Sequence, residues 1–158
     1  MRLTSLPAVL LALMFMLRPA TAQDSLAESV IERAQPLLKA LSLLGTPYKF
    51  GGNQPDKGLD CSGLVTHVYR ESAGISLPRS ARDMSRTGEE VARDALRPGD
   101  LVFFDTRNRP YSHVGIYAGE NRFVHASSRS VRAVTISRMD AGYWASRFNG
   151  ARRVLALD

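Results

Sequence analysis

The chain has 158 residues, with 21 Lys and Arg against 15 Asp and Glu and a formal charge of +6. That length fits one compact domain, and basic residues scattered as Arg79, Arg86, Arg107, Arg132 and Arg153 rather than run together read as a solvated face, which argues against nucleic-acid binding. The single cysteine, Cys61, excludes an internal disulfide.

Residues 1–22 read as a signal peptide: Arg2 gives a positive start, Leu6 to Leu17 an apolar stretch, and Ala20-Thr21-Ala22 a small-x-small cleavage pattern. The mature domain then covers residues 23–158. The apolar run is short for a membrane span, so no stable span is expected after cleavage. No cysteine follows it to carry a lipid anchor. An exported protein, periplasmic or secreted, is the expectation.

From Gln23 the residues predict a helix capped by Ser25, then a break or kink at Pro36 and a strongly apolar segment ending at Gly45. Residues 46–55 form a Pro- and Gly-rich loop. A second helix starts at Cys61 and runs to about Gly74, with Asp60 placed to cap it. After the loop Ser76 to Ser80 comes a short polar helix to about Arg86. Leu101 to Phe104 reads as a buried strand, and His113 to Ala118 and Arg122 to Ala126 as a hairpin turning at Gly119-Glu120-Asn121. Val131 to Ser137 is a further β segment, Met139 to Ala145 a short helix or turn, and Arg152 to Leu157 a last strand. Helices first and an antiparallel sheet after them make an α+β fold.

The chemistry gathers on three residues. A thiol at a helix start feels the positive end of the helix dipole, which favours thiolate. The hairpin sets His113 and His125 on adjacent strands at roughly opposite positions, so one imidazole can fix the tautomer of the other. Cys61, His113 and His125 thus form a nucleophile, base and orienter pattern. The unpaired N–H groups of the first helical turn supply donors for an oxyanion. His67, six residues along the helix from Cys61, points away from it and takes no role. A zinc site on the same three residues matches no common ligand spacing and lacks an evident fourth ligand, so neither metal nor organic cofactor is expected.

The blocks Thr46-Pro47-Tyr48-x-Phe50-Gly51-Gly52, Asp60-Cys61-Ser62-Gly63-Leu64-Val65, Arg97-Pro98-Gly99-Asp100-Leu101-Val102-Phe103-Phe104, Ser112-His113-Val114-Gly115-Ile116-Tyr117 and His125-Ala126 together resemble the NlpC-type cell-wall cysteine peptidases. The resemblance covers nearly all of residues 23–158. It implies a papain-like α+β fold with the nucleophile at a helix N-terminus packed on an antiparallel sheet, with Cys61 as nucleophile, His113 as general base and acid, and His125 as the orienting residue. It implies that the Tyr48 hydroxyl helps shape the oxyanion site. Asp60, Arg79 and Ser80 resemble positions that meet substrate, with Arg79 able to grip a stem-peptide carboxylate. The activity implied is hydrolysis of peptide bonds in peptidoglycan stems or cross-links, with peptidoglycan peptides as partners and an unidentified regulator or adaptor. A catalytically idle wall-binding module and an acyltransferase or amidase on the same fold are the rival readings.

Overall fold

A computed structural model of the chain describes residues 22–129 and 131–155. All but the last residue of the expected signal peptide lies outside the described residues. Among the described residues no helix is long and apolar enough to cross a membrane.

Helix α1 spans Ala22–Leu41 without interruption. Ser25 does not cap it; the Ser25 hydroxyl donates to the Ala22 carbonyl at 2.9 Å. Pro36 sits inside the helix and is buried, so the break expected there does not occur. Losing one N–H from a helix this long is tolerated when the proline ring is packed against the core rather than exposed.

Helix α2 spans Cys61–Ala73. Asp60 caps it through its carboxylate, which accepts the Gly63 amide at 2.7 Å, and Gly74 ends it in the left-handed conformation at φ 65°. Leu64, Val65, Val68 and Tyr69 are buried, at the i, i+1, i+4, i+5 positions that give a helix one apolar face. Fully burying each aliphatic side chain contributes on the order of 1.5–3 kcal/mol. Ahead of α2, two short strands, β1 (Asn53–Gln54) and β2 (Gly58–Leu59), fold the loop into an antiparallel pair. Gly63 lets that loop press on α2, since a Cβ there would overlap the Gly52 carbonyl oxygen.

Helix α3 is a single turn, Ala81–Met84, capped by Ser80. The remaining strands are β3 (Glu89–Glu90), β4 (Leu101–Phe104), β5 (His113–Gly119), β6 (Arg122–Ala126), β7 (Val134–Arg138) and β8 (Phe148–Arg153), with helix α4 (Gly142–Ala145) before the last. They form one antiparallel sheet in the order β3-β8-β4-β5-β6-β7. The last strand starts four residues earlier than Arg152, because Phe148 and Gly150 pair with Phe104 and Phe103 across a bulge.

Both faces of the sheet are covered. β4 is buried at every position. Leu101 and Phe103 point into the cluster built with α2, and Val102 and Phe104 into a second cluster with Tyr117, Phe123, Met139 and Trp144. Near the C-terminal end of α2, the Tyr69 hydroxyl donates to the Gly99 carbonyl. Asp100, just before β4, takes a two-pronged grip from Arg153 at 2.7 and 2.8 Å, tying β8 to the turn that starts β4. This is the mixed helix and antiparallel-sheet architecture expected from the sequence.

Candidate active site

Cys61 opens α2 where that helix packs on β5. The backbone amides of Val114 and Ser62 lie near enough to its sulfur to lower its pKa. Val114 directly follows His113, so the helix start and the first residue of β5 meet at the rim of the sheet.

His113 and His125 are joined side chain to side chain, Nε2 of His113 to Nδ1 of His125 at 2.9 Å. The strand register is Ile116 to Val124 and Tyr117 to Phe123. Continued by one pair, it sets His125 across from Gly115, two residues from His113. The imidazoles are therefore diagonal neighbours rather than opposite ones, and the diagonal is bridged because position 115 has no side chain. A Cβ on Gly115 would stand 2.6 Å from the Phe123 ring and 3.2 Å from the His125 Cβ. The far nitrogen of His125 meets Ser137 Oγ at 2.9 Å. With His113 Nε2 engaged by His125, Nδ1 is the ring nitrogen that His125 does not occupy. Ser137, His125 and His113 thus form a hydrogen-bonded line.

Trp144 closes this line from the side, its ring 5.2 Å from His113 and 4.9 Å from His125. Phe123 stacks on His125 at 4.7 Å. Burial among these rings holds His113 down to a pKa of about 4, and the Arg107 guanidinium adds to that while Asp60 opposes it. Burial first, and His113 second, hold His125 well below the ordinary histidine value. Burial pushes the Cys61 thiol up, Asp60 pushes it further, and the Val114 and Ser62 amides pull it back. Both directions favour the uncharged forms, a thiol on Cys61 and a neutral imidazole on His113. The helix dipole does not on its own produce a standing thiolate, because desolvation and the adjacent carboxylate outweigh it. A neutral imidazole has a lone pair with which to accept a proton.

Asp60 is the hub of the helix side. Its Oδ1 accepts the Gly63 amide and the Ser62 hydroxyl, and its Oδ2 accepts the Gly51 amide at 3.0 Å. Arg79 grips both oxygens, at 2.9 and 2.8 Å, and also reaches Ser62 Oγ at 2.7 Å and the Gly52 carbonyl at 3.2 Å. The hydrogen bond to Asp60 is what raises the Arg79 pKa most. The guanidinium fork is therefore occupied within the protein, although the Arg79 side chain remains 43% exposed. Ser80 caps α3 and donates to Asp83 at 2.7 Å. Tyr48 lies close to both groups: burial raises its phenol pKa, and negative charge on Cys61 and then Asp60 raises it further. Its amide donates to the Arg132 carbonyl at 2.8 Å and its backbone bridges to Leu59, which anchors it beside the helix start.

A groove of about 90 Å³ opens over the imidazoles, lined by Thr106, Arg107, His113, His125, Arg129 and Trp144 among others. Among the described residues no cluster of three or more His, Cys, Asp or Glu is placed to hold a metal ion.

The model of the NlpC/P60 family matches residues 45–153, which include every residue of this site. The chain belongs to the NlpC/P60 family. This NlpC/P60 chain is 48% identical over 112 residues to the murein DD-endopeptidase MepS/murein LD-carboxypeptidase of Escherichia coli K12, covering 71% of this chain and 57% of that protein. It is 48% identical over 116 residues to the gamma-DL-glutamyl hydrolase of Bacillus subtilis 168, covering 73% of this chain and 28% of that protein. The NlpC/P60 chain thus spans little more than half of the first relative and under a third of the second. Among solved structures it superposes on an NlpC/P60 family protein from Bacillus cereus ATCC 10987 with a TM-score of 0.72 at 31% identity, over 78% of this chain and 40% of that one.

Ser137, Gly115 and Trp144 have no counterpart among the residues assigned a chemical role from the sequence. Ser137 is a common residue whose partner lies twelve positions away. Gly115 could have been found by continuing the hairpin register and asking what must be small for the two histidines to touch.

Proposed function

We propose that the protein is an exported cysteine endopeptidase that hydrolyses peptide bonds in bacterial peptidoglycan, stems or cross-links. The observation that carries this reading is His113, joined to His125 at 2.9 Å at the start of a strand that packs against the helix opened by Cys61. Relatives whose names specify murein endopeptidase activity support the substrate class.

In this reading Cys61 Sγ attacks the scissile carbonyl carbon as its proton passes to His113 Nδ1. The developing oxyanion is held by amide N–H groups at the start of α2 and by the Tyr48 hydroxyl. The tetrahedral species collapses to a thioester, and the leaving amine takes the proton from His113. A water molecule, deprotonated by His113, then releases the acid and restores the thiol. His125 fixes the His113 tautomer. Asp60 and Arg79 hold the nucleophile's helix and, with Ser80, border the substrate groove, where the exposed part of Arg79 meets the peptide.

Residues 1–22 serve as the export signal and residues 23–158 as the working domain. Activity against the cell wall calls for a restraining regulator or adaptor. Native chain and Cys61→Ala, incubated with purified sacculi, test the reading. Soluble fragments are expected from the native chain alone, and mass spectrometry of their ends names the bond. Equal release by both, or binding without release by either, would sink it.

A further inference from the structure

A second cavity lies beside the site; of the residues given roles above, it takes in only Ser80, at its edge. It is about 610 Å³ in volume and opens between α3, the loop joining β4 to β5, and β8. Its wall brings together Arg82, Arg86, Arg107, Arg109 and Arg152, and no Asp or Glu among the described residues. Guanidinium groups crowded round one concavity repel one another until an anion enters.

The neighbouring acids are directed elsewhere. Asp105 accepts the backbone amides of Arg107 at 3.2 Å and Arg109 at 2.9 Å, so it shapes the loop that presents those two side chains. Asp83 accepts the Ser80 hydroxyl and meets Arg86 only at 3.7 Å. Glu90 meets Arg152 at 3.6 Å from a largely exposed position. Among the described residues no carboxylate forms an ion pair with Arg82, Arg107 or Arg109.

The loop is also held in a costly shape. Asn108 and Tyr111 have φ of 53° and 58°. The Tyr111 amide donates to Asn149 Oδ1 at 2.9 Å, its ring packs edge-on to Phe103, and Ser112 Oγ accepts the Thr106 amide at 2.9 Å. Such backbone persists only where its surroundings fix it. The cavity adjoins the reacting groups: Arg107 lines both it and the groove over His113 and His125, and Ser112 directly precedes His113.

We infer that this five-arginine cavity is a binding subsite for a short peptide carrying several free carboxylates, held next to the bond that Cys61 attacks. The inference rests on the hydrolase reading and adds the charge of its substrate. Planar guanidinium forks match carboxylates in a two-pronged geometry. A nucleic acid would need a continuous basic track for its phosphates, which one local concavity does not offer. A peptidoglycan stem peptide and a γ-linked glutamate chain share the required chemistry.

The test is calorimetric titration of the full Cys61→Ala chain at low ionic strength, where exposed charges are least screened. The probes are γ-linked triglutamate, a murein stem tetrapeptide, and the fully amidated form of each. At least one acid form is expected to bind about tenfold or more tightly than its amide. Arg82→Gln/Arg109→Gln in the same background is expected to erase that preference while leaving the amides' binding unchanged, and the tighter acid form names the source. Should the double variant lose its native circular dichroism, Arg109→Glu on the exposed loop replaces it with the same expectation. Equal or absent binding of acid and amide forms overturns the inference. So does a preference that survives the substitutions, or tighter binding of a short DNA duplex than of either peptide. Failure of the native chain to cut sacculi would strike the hydrolase reading alone, since the titration involves no turnover.

Discussion

On the helix side of the groove, Asp60 and Arg79 face each other as full charges with every oxygen of the carboxylate engaged. On the sheet side, His113 and His125 are uncharged and walled by Trp144 and Phe123. The first arrangement tolerates water, because a two-pronged ion pair on a helix cap keeps its geometry when half-exposed. The second depends on dryness, because desolvation is the largest cause keeping the His113 imidazole uncharged below its usual titration range. The helix start and the paired imidazoles are thus maintained by opposite physical means.

Removing the base strikes the chemistry and removing the carboxylate strikes the scaffold. His113→Ala is expected to cut sacculus hydrolysis by about a thousandfold or more, with circular dichroism unchanged. Asp60→Asn keeps the shape but not the charge. It is expected to cost roughly tenfold in rate and about 1 kcal/mol in stability, the exposure of Arg79 softening the loss. If the two variants fall equally far, the division between chemistry and scaffold is wrong.

Acid should destabilise the sheet side selectively. In the fold His113 stays neutral down to about pH 4, whereas the unfolded chain takes up that proton near 6.5. Between those values the unfolded chain binds more protons. The stabilisation is therefore complete above about pH 6.5 and lost as pH falls to about 4, on the order of 3 kcal/mol. Denaturation midpoints measured across this window should fall, and less steeply in His113→Gln; a flat native profile contradicts the neutral pair.

Gly115→Ala sharpens the geometric side of the comparison. The added methyl meets the Phe123 ring and displaces His125, so hydrolysis is expected to drop by about a hundredfold, read as kcat with KM little changed. His125→Asn retains one hydrogen-bonding amide and is expected to lose only about tenfold. Ser137→Ala removes the outermost member and is expected to cost a few-fold in kcat, with the acid limb of the rate profile shifted. A loss in Ser137→Ala as deep as that of His125→Asn would make the serine more than an outer support.

Asp60 as cap, the Cys61 helix, the buried Leu101–Phe104 strand and the Arg122–Ala126 hairpin arm were legible because each rests on local pattern: a capping carboxylate, a 3.6-residue apolar repeat, or alternation about a tight turn. The continuous α1 was not, because whether Pro36 breaks a helix depends on what its ring packs against. The early start of β8 was hidden by Asn149 and Gly150, which look like a loop until Phe103 and Phe104 supply a partner strand. The helix start at Cys61 and the pairing of His113 with His125 could be read from residue type and order. The occupied fork of Arg79 could not, because its partner lies nineteen positions away across a loop.

The chain contains one tryptophan, and it is Trp144. With its indole about 5 Å from both imidazole rings, protonating either ring sets a cation against its π-system. The protein therefore carries an intrinsic optical reporter, and ultraviolet emission from this one indole follows the ionisation of the two imidazoles without any attached dye.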